Sequence, residues 1–440
     1  MGVPVIRRRA LLALGGGATF ASFLPERASA MDRVPSGGVL RMTLPLGLRA
    51  FDPHDARSLD AAVFGASLFD PLFAQDDAGR PYAALAERLP EPVAGGLRVT
   101  LRAGLRTALD LPLDSNDLLF SLKRARAGAA SSWLAPFGVP RTLRGDSRSV
   151  LFPAGDAAAL ALALASPAAA IVPRSFSPSL PDGTGAFRAA PTRDGLVLER
   201  NPRAARGPAF LERIELRRAP GLADSLRAFE AGDADVGWLA TGLHHARKRA
   251  VRFDAGPIGH VVLMTGQKLG AWGAPGVAQT VLDGVDRSGL AALGVHVAAG
   301  RTAAPTPWRG PASDVLVDGD CPQLVAITRS LVEMLGGSAR GLRVVPVAPA
   351  ELGRALTANE FSLCVDFVRR IGSAPGDDAR ALLARAGGAS SKLAVDEPLS
   401  SLTRRLRLGW VGALHIEGAL TERHVGLARW QLGDVYVRGT

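Results

Sequence analysis

The chain has 440 residues, 47% of them apolar, and a formal charge of +11. That length supports a sizeable core and two or three domains. Arginine far outnumbers lysine and is scattered from end to end, so no tail or helix concentrates charge as a nucleic-acid footprint does, and no nucleic-acid partner is expected.

The N-terminus carries Arg7-Arg8-Arg9, then Ala10-Leu11-Leu12, a mildly apolar stretch holding Gly15-Gly16-Gly17, and Ala28-Ser29-Ala30. A basic start, an apolar middle and a small-residue cleavage site make an export signal. The Arg8-Arg9 pair ahead of a weakly hydrophobic stretch fits the twin-arginine route, and an ordinary secretory signal also fits. Residues 1–30 are read as the signal peptide, cleaved near Ala30, which places the mature chain in the periplasm. No Cys stands near the cleavage site, so no lipid anchor is expected there.

Val39 to Leu44 alternates as a first strand. Ala61 to Phe69 is apolar at helical spacing, and Asp76 to Arg80 is a turn. Gly96 to Arg102 alternates again. Ser115-Asn116-Asp117 offers short polar side chains to cap a helix over Leu118 to Arg126. Ser149 to Phe152 reads as a strand and Ala157 to Ala165 as a helix. The apolar run from Ala157 to Val172 is short and contains Ser166 and Pro167, so it reads as a core helix rather than a bilayer span. Gly183 and Gly185 allow a backbone turn that other residues resist. Leu196 to Arg200 and Ile214 to Arg217 are strands. Ala223 to Ala231 is a helix with Leu226 and Phe229 on one face and Gly232 at its end, and Asp235 to Trp238 opens the next strand. Val261 to Met264 reads as a strand, Gly276 to Leu290 and Leu324 to Leu335 as helices, and Leu342 to Val347 as a strand. A helix and strand recur over 349–368. Leu408 to Ile416 and Leu427 to Val437 read as closing strands. The whole is α/β architecture in short units.

Three pieces in this order carry a resemblance: Gly183-Thr184-Gly185-Ala186-Phe187-Arg188, then Leu196 to Pro202 (LVLERNP), then Leu226 to Trp238 (LRAFEAGDADVGW). Together, behind an export signal, they resemble the family 5 extracytoplasmic solute-binding proteins of ABC importers, the peptide, nickel and oligosaccharide-binding family. The resemblance covers nearly all of residues 38–440. It implies a two-lobed periplasmic binding protein-like fold with an extended first lobe and a ligand cleft between the lobes. The first lobe would comprise residues 31–260 plus 406–440, with a subdomain near 54–180, and the second 261–405. It also implies a monomer that binds a peptide or other small solute and meets the importer's permease at the inner membrane, with no cofactor. The family's His-Asp-Gly turn is replaced here by Thr107-Ala108-Leu109-Asp110.

Catalytic signatures are missing: no G-x-S-x-G, H-E-x-x-H, S-x-x-K or phosphate loop occurs, so an enzyme is not expected. Seven histidines are dispersed, and the adjacent pair His244-His245 reads as a solvated loop, as does the basic run to Arg252. Cys364 lies in a buried-strand pattern and Cys321 after a turn; an oxidising compartment permits a bridge, and the sequence leaves pairing open. Peptide-binding relatives are similar to one another in a Trp-x-x-Asp segment whose acid holds a ligand ammonium. The matching place here reads Val368-Arg369-Arg370-Ile371-Gly372. Two guanidinium groups would favour a carboxylate or phosphate, or else face solvent. Trp238, Trp272, Trp308 and Trp410 are candidates for an aromatic cleft wall, or for core packing. A divergent sensor or scaffold without transport is the alternative reading, and a secreted hydrolase a more remote one.

Overall fold

Alternation builds the central sheet. In β1 (Val39–Leu44) every second residue, Leu40, Met42 and Leu44, is buried, which is what one core-facing side of a strand requires. The computed structural model describes residues 36–76, 78–128, 131–239, 249–297, 307–372, 376–387 and 397–438. Within them eleven strands form one sheet. After β1 come β2 (Phe187–Thr192), β3 (Gly195–Arg200), β4 (Arg213–Arg218), β5 (Val236–Trp238), β6 (Ala250–Thr265), β7 (Val295–His296), β8 (Ser313–Asp318), β9 (Leu342–Val347), β10 (Leu363–Arg369) and β11 (Leu408–Thr421). Their spatial order is β9-β8-β10-β6-β11-β5-β1-β4-β3-β2, with β7 paired to β11.

The two ends of this sheet repeat one design. β1 lies parallel between β4 and β5, and β8 lies parallel between β9 and β10. Parallel neighbours need crossovers, and helices supply them. Helices α1 (Leu59–Leu68), α2 (Ser115–Ala127) and α3 (Ala157–Ala163) precede the first crossover, α4 (Leu222–Ala231), which joins β4 to β5. Helix α5 (Val277–Asp283) leads to α6 (Pro322–Met334) and α7 (Pro349–Ala358), the crossovers of the far end, and α8 (Asp377–Arg385) follows β10. α4 stops at Gly232, whose φ of 91° is the left-handed cap that glycine adopts freely.

The ends are joined by β6 and β11, of 16 and 14 residues, which pair antiparallel from Ala250↔Thr421 to Met264↔Leu408. Their register slips between Asp254 and Gly259, around Gly256-Pro257, and again between Val261 and Val262. Such breaks bend a strand and raise its twist. Beside the first end, residues 91–93, 96–100, 146–152 and 141–143 make a separate four-stranded sheet under α2. Its core is shared: Leu118, Leu122, Val150 and Leu160 cluster with Val368, Ile371, Ala381 and Leu382 from the far end of the chain.

Four expectations change. The cap of α2 is Asp114, not the Ser115–Asp117 triplet: its carboxylate accepts from the N–H of Asn116 and Asp117, and the Asp117 side chain answers at the Asp114 N–H. The helix expected over 276–290 ends at Asp283 and resumes as 3-10 turns over 288–293. The core helix expected over 157–172 ends at Ala163, and Ser166 with Pro167 starts a 3-10 turn. The strand expected over 427–437 is two single-turn helices and a two-residue strand paired with His424-Val425.

Candidate functional site

In open α/β sheets ligands lie outside the carboxyl ends of parallel strands. Here the segment after β1 meets the segment after β8 at that position. The Gln323 N–H donates to the Pro45 carbonyl at 3.1 Å. Arg49 pairs with Asp320 at 3.1 Å, and Arg218 donates to the Asp320 carbonyl at 3.1 Å. Asp60, in the first turn of α1, accepts from the Arg49 N–H at 3.3 Å. Burial pushes its carboxyl up to about 7, against the backbone N–H groups of Arg49 and Leu48.

Residues 53–57 then run across the end of β10. The Arg369 N–H donates to the Ala56 carbonyl at 2.7 Å, and its guanidinium donates to the Pro53 carbonyl at 2.9 Å. Arg57 Nε reaches both oxygens of Asp366 at 3.3 and 3.2 Å, while Arg385 holds Asp366 Oδ2 from the other side at 2.6 and 2.9 Å. Asp366 thus sits, only 3% exposed, between two guanidinium groups brought from opposite ends of the chain.

Arg369 is 4% exposed and packs against Gly65 of α1. Burial pushes its guanidinium down to about 10, opposed by Asp55 and Asp52. Arg370 points elsewhere: its Nε pairs with Asp378 at 3.1 Å. Trp410 joins that second group, its indole N–H donating to His260 Nδ1 at 3.2 Å. The other ring nitrogen, Nε2, lies 3.1 Å from Asp378 Oδ1. Burial alone would raise the Asp378 carboxyl, but His260 and Arg370 outweigh it and hold it below the usual carboxylate range. The other tryptophans lie apart. Trp238 is buried, donates to Gln323 Oε1 at 3.0 Å and meets Trp430 edge-on. Trp308 is buried against Trp272, ring centroids 5.3 Å apart. Trp272 also lines an open groove of about 560 Å³ with Pro275, Thr280, Val281 and Arg404.

The structure therefore brings Arg370 and Trp410 together, pairs Trp272 with Trp308, and sets Arg369 and Trp238 each in its own surroundings. Sequence reasoning missed Arg57, Asp60, Asp366 and Arg385. A signal for one was present: Asp366 is a lone charge inside the apolar strand Leu363–Val368, and a buried charge demands a partner. Cys321 and Cys364 are both free and buried, and burial raises both thiols. His244-His245 lies outside the described residues. Among the described residues no group of three or more His, Cys, Asp or Glu could hold a metal ion, and no helix is long and apolar enough to cross a membrane.

No family model matches the chain, and no curated protein matches it. Solved structures do. The oligopeptide-binding protein AppA of Bacillus subtilis, solved with a nonapeptide, aligns at TM-score 0.67 and 13% identity, covering 92% of this chain and 100% of that one. The fold is that of the two-lobed peptide- and nickel-binding proteins. NikA of Staphylococcus aureus, solved with Ni(L-His)2, gives TM-score 0.64 at 14% identity over 91% of this chain and 100% of its own. The periplasmic binding protein DppA of Helicobacter pylori, associated with an ABC transporter and solved with the peptide STSA, gives 0.65 at 12% identity over 92% and 99%. AppA and DppA are named as binding proteins. In this two-lobed fold β6 and β11 are the strands that cross from one end of the sheet to the other.

Proposed function

We propose that this chain is an exported solute-binding protein that delivers a peptide-like or other small solute to an ABC importer. One observation carries the reading: the two-lobed fold extends over about nine-tenths of the chain with neighbours solved around peptides and a nickel complex. In this reading the lobes are 31–260 with 406–440, and 261–405, and the solute sits where the segments after β1 and β8 meet. Arg369 is the group placed to select an anionic solute, since among the described residues its guanidinium donates to one carbonyl, that of Pro53, and pairs with no carboxylate. Arg370 already has Asp378. The mature chain works in the periplasm as a monomer and engages the permease there.

The test is native mass spectrometry of the protein isolated from the periplasm of its own host. A chain starting at Met31 with a small-molecule adduct, lost on Arg369→Ala, is the expected result. A cytoplasmic, uncleaved chain, or a periplasmic one that never carries an adduct in any growth medium, would reject the proposal.

A second reading has one observation in its favour. The charges at the junction are largely answered from within, by Asp378, Asp366 and Asp320. That suits a sensor or scaffold that has lost transport. Growth on the bound solute as sole nutrient separates the two, because only a transport protein supports it.

A further inference from the structure

We infer that His296 and His415 form a binding site for a divalent transition-metal ion, with Glu417 and Asp254 each holding one of the two rings. The inference is independent of the solute-binding reading. The four residues come from three strands: Asp254 from β6, His296 from β7, His415 and Glu417 from β11. Asp254 and Glu417 stand directly opposite in the β6–β11 ladder, just before its register slips, and Pro257 beyond the slip faces His415. Like charges directly opposite destabilise a strand pair, so these two carboxylates need an answer. Imidazoles supply it. His415 Nδ1 lies 3.1 and 3.0 Å from the two Asp254 oxygens, and His296 Nε2 lies 3.1 Å from Glu417 Oε2. β7 is set in place by the pairing of His296 with Ala413 and by the His415 N–H, which donates to the Gly294 carbonyl at 2.9 Å.

An ionised carboxylate only accepts, so the ring nitrogen that faces it carries the proton. Burial raises the Asp254 carboxyl, but the Gly256 N–H and the His415 ring outweigh it and hold it below the usual carboxylate range. In a neutral ring the second nitrogen is then a bare lone pair: Nε2 in His415 and Nδ1 in His296. Neither has a hydrogen-bond partner among the described residues. Metal-binding histidines are arranged in this way, with a carboxylate fixing tautomer and ring orientation and raising the basicity of the ligating nitrogen. The spacing fits as well. The ring centroids are 4.3 Å apart and the planes are inclined by 41°. With metal–nitrogen bonds of about 2.0–2.1 Å, two imidazoles at right angles on one ion have centroids roughly 4.5 Å apart. The His415 side chain is 18% exposed and that of His296 is 40%, so the rings are held but solvent reaches them. Two imidazoles favour copper, nickel or zinc over calcium and magnesium, which take oxygen ligands. The remaining coordination positions fall to water or to a donor group of a bound molecule. An ion there ties β6, β7 and β11 together where the β6–β11 ladder slips.

The test adds Cu2+ or Zn2+ alone to the purified protein, without an affinity tag, after dialysis against EDTA and then buffer. His244 and His245 are replaced by alanine in every sample, so that adjacent pair adds no signal. With one equivalent of Cu2+, pulsed electron resonance should show two coupled imidazole nitrogens. His296→Ala and His415→Ala should each leave one. Both should weaken Zn2+ binding, read by calorimetry, at least as much as losing a carboxylate partner does, which is about 10–100-fold. Glu417→Gln keeps an acceptor without the charge; it should weaken Zn2+ about tenfold and leave both nitrogens on copper, which separates positioning from ligation. One imidazole or none in the parent would overturn the site, and so would two that persist in both alanine variants. Equal Zn2+ affinity in all four proteins would also overturn it, because the rings would then only answer two opposed carboxylates. Melting in EDTA, followed by circular dichroism, checks folding. Should an alanine variant melt far below its parent, His296→Gln and His415→Gln, which keep bulk and a donor for the carboxylate, carry the same comparison. Since no solute enters the measurement, a failed metal site leaves solute binding standing, and a protein that binds no solute leaves the copper spectrum unaffected.

Discussion

Asp60, buried where the segment after β1 meets α1, makes stability depend on pH. Burial raises its carboxyl to about 7 in the folded chain, whereas an unfolded carboxyl titrates near 3.9. Between those values the folded state binds more protons than the unfolded one, so stability is greatest near pH 4 and declines as pH rises through about 7. Asp60→Asn keeps an acceptor for the Arg49 N–H and removes the charge. We expect the variant and the native protein to melt alike at about pH 4, and the variant to melt several degrees higher at pH 8, measured by calorimetry at one-unit steps. Asp70 is raised too, to about 6, by burial beside Thr184 and Arg206, but it is present in both proteins and cancels in the difference. A gap that does not widen with pH would assign the decline to other groups.

Single elements here are held by a few aromatic contacts as much as by their own patterns. Trp430 follows the single-turn helix over 427–429, stacks on Phe253 of β6 at 6.0 Å and 11°, meets Trp238 of β5, and donates to the Val63 carbonyl of α1 at 2.9 Å. It fastens the last residues to three elements, β6, β5 and α1. Trp430→Ala should cost about 3 kcal/mol, the lower end for a large aromatic because Trp430 is only half-buried, and Trp430→Phe about 1 kcal/mol for the lost bond. Guanidinium unfolding at equilibrium reads both, and equal losses would assign the effect to the hydrogen bond alone.

The same residue marks where the sequence stops being legible. Strands with one buried side, such as Val39–Leu44 and Arg213–Arg218, alternate and were readable, as was α4 with its Gly232 stop. Gly183 and Gly185 were readable as positions that other residues resist, and the reason is now specific: a Cβ on Gly183 would strike the Leu68 carbonyl and the Phe69 ring, and one on Gly185 the backbone of Ser67 and Leu68. Residues 427–437 have no such local code, because their conformation is set by distant rings, and alternation there misled. β6 was seen as four residues of sixteen, since Gly256 and Pro257 interrupt its pattern just where its ladder slips. The charged junction was least legible of all. Arg57, Asp366 and Arg385 are separated by hundreds of residues or lie in unlike elements, and no spacing in one chain shows that they meet.

At the scale of the molecule, everything depends on one late strand. β11 lies in the middle of the sheet, between β6 and β5, yet its residues are 408–421. A chain cut after Arg407 keeps ten of the eleven strands and loses the one that joins them. We expect it to show no cooperative unfolding transition by circular dichroism, and a sharp transition like that of the full chain would refute this.

The position of β11 also sets a timetable. Ribosomes deliver its partners first, and for the whole of that interval β5 and β6 each present a bare strand edge, which invites pairing with other nascent chains. The sheet cannot close a little at a time as it is made. The newborn polypeptide has to be kept apart from its siblings until Thr421 has emerged, and only then can both lobes settle in one step.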